Sequence, residues 1–163
     1  MSLSRNWRVV FALTSCLAAC GFEPALRDNP TSAAFNEGFA IEVAGGRTGF
    51  ILEEFLLQRL GTPGYPNYQL RVRVDITERT ESVAGAGGID RSALDGVAHY
   101  DIGLPGAVSA VSSGTIRGSA SYSSGSGEMA SGAARGDAEK RMLAQIADRL
   151  VAQLILTSSE WTG

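Results

Sequence analysis

The stretch YQLRVRVDITERTES, from Tyr68 to Ser82, sets the architecture of this chain because its side chains alternate in polarity. Its apolar residues stand at every second position: Tyr68, Leu70, Val72, Val74 and Ile76. The residues between them are polar or charged. Successive side chains of a strand point to opposite faces, so such a segment buries one face and exposes the other. The pattern predicts a half-buried strand over 68–77.

Similar alternation occurs before and after this strand. FAIEVAG, beginning at Phe39, predicts a short strand. LDGVAHYDIGL, over 94–104, predicts a looser one, and Pro105-Gly106 then supplies a turn in which proline fixes φ and glycine accepts a positive φ. AVSAVSSGTIRGSASY, over 107–122, returns as a strand rich in small residues, which completes an antiparallel hairpin.

Two segments have helical periodicity. RTGFILEEFLLQRLG places its apolar residues on one face and predicts a helix over 48–60, ended by Gly61. After a Ser/Gly-rich connection, GDAEKRMLAQIADRLVAQLILTSSEW, from residue 136 onward, repeats apolar residues every four positions from Ala138 to Leu154. Asp137 is the predicted N-cap of this helix, and Glu139 is expected to complement its dipole.

The predicted order is therefore β-α-β-β-β-α. A strand–helix–strand start implies a crossover between parallel strands, and each amphipathic helix needs a sheet face on which to bury its apolar stripe. We expect an α+β fold: a two-layer sandwich of one mixed sheet of about four strands with both helices on one face. Residues 39–158 form this single domain, and 159–163 form a C-terminal tail.

The N-terminus has the residue pattern of an export signal peptide. Arg5 and Arg8 precede an apolar run, from Val9 to Ala19, that is too short to cross a bilayer as a helix. The run ends in LAAC, which resembles a bacterial lipobox. The resemblance implies that the Cys20 thiol receives a diacylglyceryl group, that the signal peptide 1–19 is cut off after Ala19, and that the new amino terminus is acylated. The alternatives are an ordinary signal peptide and an apolar N-terminal helix with incidental cysteines.

A lipid on Cys20 would anchor the mature protein, because two or more acyl chains give stable membrane binding. Residues 20–38 lack periodicity and are expected to form an extended tether between lipid and domain. Gly21 follows the cysteine, and in the sorting rule known for such lipoproteins a residue other than Asp there favours the outer membrane. The mature chain keeps 12 basic and 17 acidic residues, a net charge of about −5, which argues against a nucleic-acid partner.

The sequence offers little that suggests catalysis. GSGEMA, at 125–130, matches a loose dinucleotide-binding glycine pattern but lacks the strand-to-helix turn of that motif, so a flexible connection is the better interpretation. His99, the single histidine, lies mid-strand on a polar face; we expect it to be exposed rather than a general base. One histidine without a cysteine pair makes a metal site improbable. We expect no enzymatic activity and no cofactor beyond the covalent lipid.

Arginines are the strongest candidates for binding residues. Arg71 and Arg73 share one face of the 68–77 strand, and Arg79 continues the row. Arg91 follows in the next loop, and Arg117 lies on the last strand. Guanidinium groups bind phosphate through two parallel hydrogen bonds. The alternative is a solvated face whose charge is balanced by Asp75 and Glu78.

Several segments together resemble one family. The lipobox followed by CGF, the segment LLQRL, the strand YQLRVRVDITER, the turn LPG and the C-terminal stretch from SYSSGSGEMAS to the helix ADRLVAQL are similar to the LptE-like lipopolysaccharide-assembly lipoproteins of Gram-negative bacteria. The similarity spans nearly the whole mature chain.

The resemblance implies an outer-membrane lipoprotein, held by its lipid in the inner leaflet of that membrane on the periplasmic side. It would act as a plug and assembly partner of a large LptD-like β-barrel and assist lipopolysaccharide delivery to the outer leaflet. Lipopolysaccharide phosphates would be bound by basic residues, for which the candidates chosen from charge and face are Arg71, Arg73, Arg91 and Arg117. Two alternatives remain: a free-standing lipid-anchored periplasmic binding protein of an unrelated α+β family, and a lipid-anchored hydrolase using His99 or a serine.

Overall fold

The structure, a computed structural model, describes residues 38–62, 64–82, 90–123 and 127–161. The elements along the chain are β1 (Phe39–Ala44), α1 (Gly46–Leu60), β2 (Tyr68–Ser82), β3 (Asp90–Gly103), β4 (Ala110–Ser123), α2 (Glu128–Leu156) and α3 (Ser158–Trp161). The predicted β-α-β-β-β-α order is confirmed, with one added helical turn at the end. Cys20, Ala19 and the tether over 20–38 lie outside the described residues, apart from Gly38.

The four strands form one mixed sheet in the order β1-β2-β3-β4. β1 pairs with β2 in parallel, and the other two pairs are antiparallel. The predicted turn between β3 and β4 is confirmed: Gly106 has a φ of 79°, and the Ala107 N–H donates to the Leu104 carbonyl over 2.9 Å. A bulge between Ile102 and Gly103 leaves Val111 without a partner in the register.

β2 and β3 are longer than the alternation predicted. They stay paired as far as Ser82 and Asp90, beyond the last apolar position of β2 at Ile76. The extension carries polar cross-strand pairs, such as Thr80 opposite Ser92, whose hydroxyls lie 3.2 Å apart. Hydrogen bonding along the ladder continues where hydrophobic periodicity no longer signals a strand.

The core lies between the inner face of the sheet and the two long helices. Its buried strand residues are Phe39, Leu70, Val72, Val74, Leu94, Ala98, Tyr100, Ile102 and Ile116. The helices contribute Leu52, Leu56, Ala138, Met142, Leu143, Ile146, Ala147, Leu150 and Leu154. The apolar stripes of both helices face the same side of the sheet, which confirms the two-layer arrangement.

Glycine lets α2 approach the sheet closely. Gly96 and Gly118 are paired across β3 and β4 on the inner face, beneath Met142 and Ile146. A Cβ at Gly118 would lie 2.7 Å from Ile146 Cγ1 and 3.1 Å from the Met142 carbonyl oxygen. Any side chain at this pair would push the helix outward, because the interior is close-packed.

The start of α2 differs from the prediction. The helix begins at Glu128, with Gly127 in extended conformation before it, so Asp137 lies inside the helix instead of capping it. Glu139 is buried and accepts a hydrogen bond of 2.8 Å from Thr48 Oγ1 of α1, so it does not serve a helix terminus. The Ser/Gly-rich composition suggested a connection, whereas Arg135 docks the first turns of the helix onto the sheet through Glu78.

The core also continues past residue 158, where the sequence placed the domain boundary. Trp161 is 4% exposed and packs edge-on against two other rings. Its ring centroid lies 5.4 Å from that of Phe39 and 5.0 Å from that of Tyr68. The last helical turn therefore joins β1 and β2 at the end of the sheet where both strands begin. Within the described ranges, no helix is long and apolar enough to span a bilayer.

Candidate functional site

One face of the sheet carries the candidate binding residues. Inner-face side chains of β2 and β3 are at even positions and lie under the helices; the odd-numbered side chains point the other way. We call this second side the open face. Apart from Val97 in β3 and Val111 at the bulge, its described side chains from β2 to β4 are polar, charged or small: Gln69, Arg71, Arg73, Asp75, Thr77, Arg79, Arg91, Ala93, Asp95, His99, Asp101, Ser113, Thr115, Arg117, Ser119, Ser121 and Ser123.

Arg71 is fixed by its neighbours. It lies opposite Asp101 in the register, and its Nε donates to Asp101 Oδ2 over 2.6 Å. Its Nη1 donates to the Ala107 carbonyl over 3.1 Å. Both side chains of the pair are about one-third exposed, so the bond is partly shielded from water. Arg71 thus ties β2 to β3 and to the β3–β4 turn, which leaves fewer of its donors for a ligand.

Arg79 and Arg73 differ in how firmly they are held. Arg79 contacts Asp95 across the strands through both Nε and Nη2, each at 2.6 Å from Oδ2. Arg73 lies 3.6 Å from Asp75 on its own strand, and the two side chains are 67% and 64% exposed. An exposed pair at that distance contributes little energy. Arg73 is therefore readily available to an external anion.

Arg91 and Arg117 are exposed, and neither forms an ion pair within the described part of the chain. Arg117 lies opposite Val97, two positions along β3 from the residue opposite Arg73. With strands about 4.8 Å apart and about 3.3 Å per residue, this places Arg73 and Arg117 about 12 Å from each other. Arg91 was predicted to lie in a loop, but it lies on β3 because the pairing of β2 with β3 continues to Asp90; it is about 20 Å farther along that strand. The four arginines thus share one face, with Arg73 and Arg117 nearest to each other among those without a close carboxylate partner.

A shallow groove of about 350 Å³ crosses the open face between β1 and β3. It is lined by Glu42, Ala44, Arg71, Val72, Arg73, His99 and Asp101. His99 is exposed as predicted, and its Nδ1 lies 3.2 Å from Thr115 Oγ1. Two guanidinium groups, three carboxylate or imidazole side chains and the shallow shape suit a phosphate or hydroxyl-rich group. Within the described residues, no cluster of histidine, cysteine and acidic side chains could hold a metal ion.

Sequence reasoning missed a polar cluster on the helix side of the sheet. Glu78 of β2 accepts hydrogen bonds from the Tyr122 hydroxyl of β4 and, over 2.9 Å, from Arg135 Nε of α2. These two bonds, that from Tyr122 first, lower the pKa of Glu78, and the Glu78 carboxylate raises the pKa of Tyr122. Arg135 also lies 3.5 Å from Glu139 one turn later. No sequence signal joined these residues, because three separate elements supply them.

α2 also closes part of the free edge of β4. Arg141 Nη2 donates to the Ser121 carbonyl over 3.1 Å, and Gln145 Oε1 accepts from the Ser119 N–H over 3.1 Å. Arg149 donates to the Arg117 carbonyl. The three helix residues are spaced by four, and the three strand residues by two. An uncovered edge invites pairing with another chain, so this arrangement protects the strand. The helix spacing was visible in the sequence, but the edge position of β4 was not.

Comparison with known proteins finds similarity at the level of the fold. No family model matches the chain, and no curated protein matches it. Several solved structures do match its fold. A protein from Caulobacter crescentus CB15 described as a lipoprotein superposes with a TM-score of 0.62 at 20% identity, over 80% of this chain and 96% of that one. Rare lipoprotein B from Shewanella oneidensis gives a TM-score of 0.57 at 17% identity, over 77% and 98%.

A minor lipoprotein from Acinetobacter baumannii superposes with a TM-score of 0.54 at 12% identity, over 76% of this chain and 93% of that one. Each of the three structures is covered almost completely, and each match takes in about three-quarters or more of this chain. At these identities the likeness concerns the backbone arrangement and no particular side chain. The chain shares the α+β fold of these solved structures.

Proposed function

We propose that the protein is a lipid-anchored protein of the bacterial envelope, attached through acyl chains on Cys20. Two independent lines support this. LAAC resembles a lipobox and follows a basic and then an apolar segment. The three solved structures that share the fold are all described as lipoproteins. Gly21 after the cysteine favours the outer membrane as the destination.

The finer proposal is a plug and assembly partner of an LptD-like outer-membrane β-barrel that assists lipopolysaccharide delivery to the outer leaflet. The observation that carries it is the open face: a broad sheet surface of hydroxyl groups, small residues and paired charges, opposite a well-formed core. The lumen of a large barrel is polar, so a protein inside it needs such a surface. The role is one of binding and support, without catalysis.

Lipopolysaccharide phosphates would contact Arg73 and Arg117 first. Both guanidinium groups are exposed. Arg73 forms only the weak ion pair with Asp75, and Arg117 forms none within the described residues. Arg71 would act mainly by holding the groove, since Asp101 and the Ala107 carbonyl occupy it. Arg91 is accessible but distant, and would serve a separate phosphate.

A pull-down of the tagged, lipidated protein from membranes tests the main proposal. We expect one large outer-membrane barrel in near-equal amount. Recovery of the protein alone, soluble and folded, would contradict the plug role. Replacing Cys20 by Ser should abolish acylation and processing by the lipoprotein route, and mass spectrometry that finds an unmodified Cys20 in the native chain would contradict the anchor.

The arginine contacts need a separate test. Arg73→Ala and Arg117→Ala together should weaken binding of purified lipopolysaccharide, with a smaller loss in high salt because phosphate contacts are screened. Lys140→Ala together with Arg47→Ala is the matched control, since it removes the same two positive charges from exposed surface of α1 and α2. Equal losses in the double variant and the control would mean that overall charge, and not this face, determines binding.

The groove between β1 and β3 favours a second candidate, a free-standing envelope protein that binds a small anionic or hydroxyl-rich ligand. In that case the protein would purify without a barrel, and Arg73→Ala would abolish ligand binding. Replacing His99 by Ala tests the hydrolase alternative: a loss of function with normal folding and barrel assembly would favour it.

A further inference from the structure

One end of the sheet gathers exposed apolar side chains. We call it the near end: β1 and β2 begin there, at Phe39 and Tyr68, and the turn between β3 and β4 lies beside them, since Gln69 pairs with Gly103. Three side chains in the two loops at this end are strongly exposed: Tyr65 at 94%, Leu104 at 55% and Val108 at 95%. The bulge residue Val111 adjoins them and is half exposed.

The loops that carry these side chains contain no charge. No charged residue occurs between Arg59 and Arg71, and none occurs between Asp101 and Arg117. Single exposed apolar side chains are common on protein surfaces, whereas several grouped together mark a contact site. Here the surface is apolar and neutral, although Glu160 of α3, also toward this end, remains exposed.

The near end is also where the chain leads back toward the anchor. Gly38 directly precedes β1, and 17 residues lie between it and Cys20. A chain of that length reaches at most about 60 Å when fully extended, and about 25 Å on average as a flexible coil. The apolar loops therefore lie at the end of the domain that the lipid holds closest to the bilayer.

From this arrangement we propose that Tyr65, Leu104 and Val108 form a membrane-contacting rim that dips into the interfacial layer of the bilayer. The proposal rests on the lipid anchor proposed above, but not on the barrel partner. Tyrosine favours this layer because its ring is apolar and its hydroxyl can stay hydrated. The rim orients the domain. The near end lies on the membrane, and the C-terminal ends of β2 and β4 point away from it.

The chemistry of the rim predicts how it responds to lipid composition. Basic segments bind anionic lipids electrostatically, and such binding depends on salt. The rim has no basic residue, so its contact comes from apolar burial and should be the same on neutral and anionic vesicles.

A labelling experiment tests the rim on the lipidated mature protein. The sequence has only two cysteines; Cys16 leaves with the signal peptide and the Cys20 thiol is acylated, so an introduced cysteine is labelled uniquely. An environment-sensitive fluorophore is attached at Val108→Cys, and in a second protein at Met129→Cys, which is 92% exposed at the start of α2. Both are reconstituted into phosphatidylethanolamine–phosphatidylcholine vesicles containing a doxyl-labelled lipid.

We expect several-fold stronger quenching at position 108 than at 129, unchanged when phosphatidylglycerol is added. Adding Tyr65→Ser and Leu104→Ser should reduce the quenching at 108 to the level seen at 129. Phe50→Ser, on the exposed side of α1, is the matched control and should leave it unchanged. Circular dichroism checks that each variant is folded.

Equal quenching at the two positions, or none at 108, would overturn the rim. An unmodified Cys20 in the same preparation would remove the tether argument and overturn it as well. Since the vesicles contain no barrel, these outcomes are independent of the membrane pull-down. A barrel recovered with an unquenched position 108 keeps the plug role and rejects the rim, whereas quenching without a recovered barrel does the reverse.

Discussion

At the near end of the sheet the layer beneath the helices is aromatic, with Phe39, Tyr68 and Trp161 packed ring against ring, whereas at the opposite end the same layer holds Glu78, Tyr122 and Arg135. We call this opposite end the far end. β1 and α1 extend along only part of the sheet, because the pairing of β1 with β2 ends at Arg73. Beyond that point three strands are covered mainly by the first half of α2.

The difference teaches that the two ends are stabilised by different physics. Apolar burial contributes roughly 25 cal/mol per Å² and does not depend on pH. A hydrogen-bonded carboxylate contributes a smaller net free energy of folding than a buried aromatic ring, and that free energy depends on whether the carboxylate is ionised. We therefore expect the far end to open or rearrange at a lower cost than the near end.

The largest effect should come from removing the aromatic ring at the near end. Trp161→Ala deletes a side chain that is 4% exposed, and large-to-small changes of this kind cost about 3–5 kcal/mol. Urea unfolding followed by circular dichroism measures the loss. Met129→Ala is the control, since that side chain is 92% exposed. A change below about 1 kcal/mol at Trp161 would mean that α3 is peripheral to the core.

One substitution made at two glycines should give opposite signs. Gly118→Ala places a methyl group 2.7 Å from Ile146 Cγ1, and overpacking of this kind costs about 1–3 kcal/mol. Gly132→Ala meets no atom within 4 Å in the first turns of α2, where alanine is favoured over glycine by about 0.5–1 kcal/mol. Thermal unfolding of the two variants gives both values. Destabilisation by Gly132→Ala would contradict a helix over 128–136.

The far-end cluster should respond to pH. Tyr122→Phe removes one hydrogen bond to Glu78 and should cost about 0.5–1.5 kcal/mol at pH 7. Because the pKa of Glu78 is lowered by folding, its contribution is complete above the ordinary value of 4.5 and is lost as the pH falls through the lowered one. The difference between variant and parent should therefore shrink below pH 4.5.

Amide hydrogen exchange shows which part of the domain is destabilised by Tyr122→Phe. In Tyr122→Phe, faster exchange is expected in residues 128–136 and not around Trp161. Tyr65→Phe serves as the control, because the Tyr65 ring is 94% exposed and its loss of a hydroxyl should change neither stability nor exchange. Uniformly faster exchange would show that the two ends unfold together.

The smallest change in stability is expected at the edge of β4. Replacing Arg141, Gln145 and Arg149 by Ala uncovers the strand backbone at residues 117–121, so the variant should self-associate at high concentration while its unfolding midpoint moves little. Light scattering after size exclusion measures the mass. Lys140→Ala on the same helix is the control. A monomeric triple variant would mean that the edge needs no cover.

Much of the fold could be predicted because the local signals agreed. The alternation in β2, the Pro105-Gly106 turn and the period of α2 from Ala138 to Leu154 each identify an element and its buried face. The start of α2 could not be predicted, since residues 128–136 are rich in alanine and glycine, and the ion pair that ties them to the sheet joins Arg135 to Glu78, 57 residues earlier in the chain. Trp161 looked like part of a tail for the same reason: its ring partners are more than 90 residues away in the chain.

The candidate site was predictable in its face but not in its charge balance. Period two places Arg71, Arg73 and Arg79 together in any register. Which of them is engaged depends on the register of β3, which sets Asp101 beside Arg71 and leaves Arg73 opposite His99. A shift of two residues would have set Asp101 opposite Arg73 and left Arg71 opposite Gly103, and a shift of one would have turned Asp101 to the other face of the sheet.

The sequence by itself thus determined the element order and the buried faces, because each depends on residues that are close together along the chain. Only the tertiary structure decided the position of Gly96 beneath Met142 and beside Gly118, the polar cluster at the far end and the closed edge of β4. These features join segments that are distant in sequence. Their energies depend on distances of a few ångströms, which are fixed by strand register and by how closely α2 approaches the sheet.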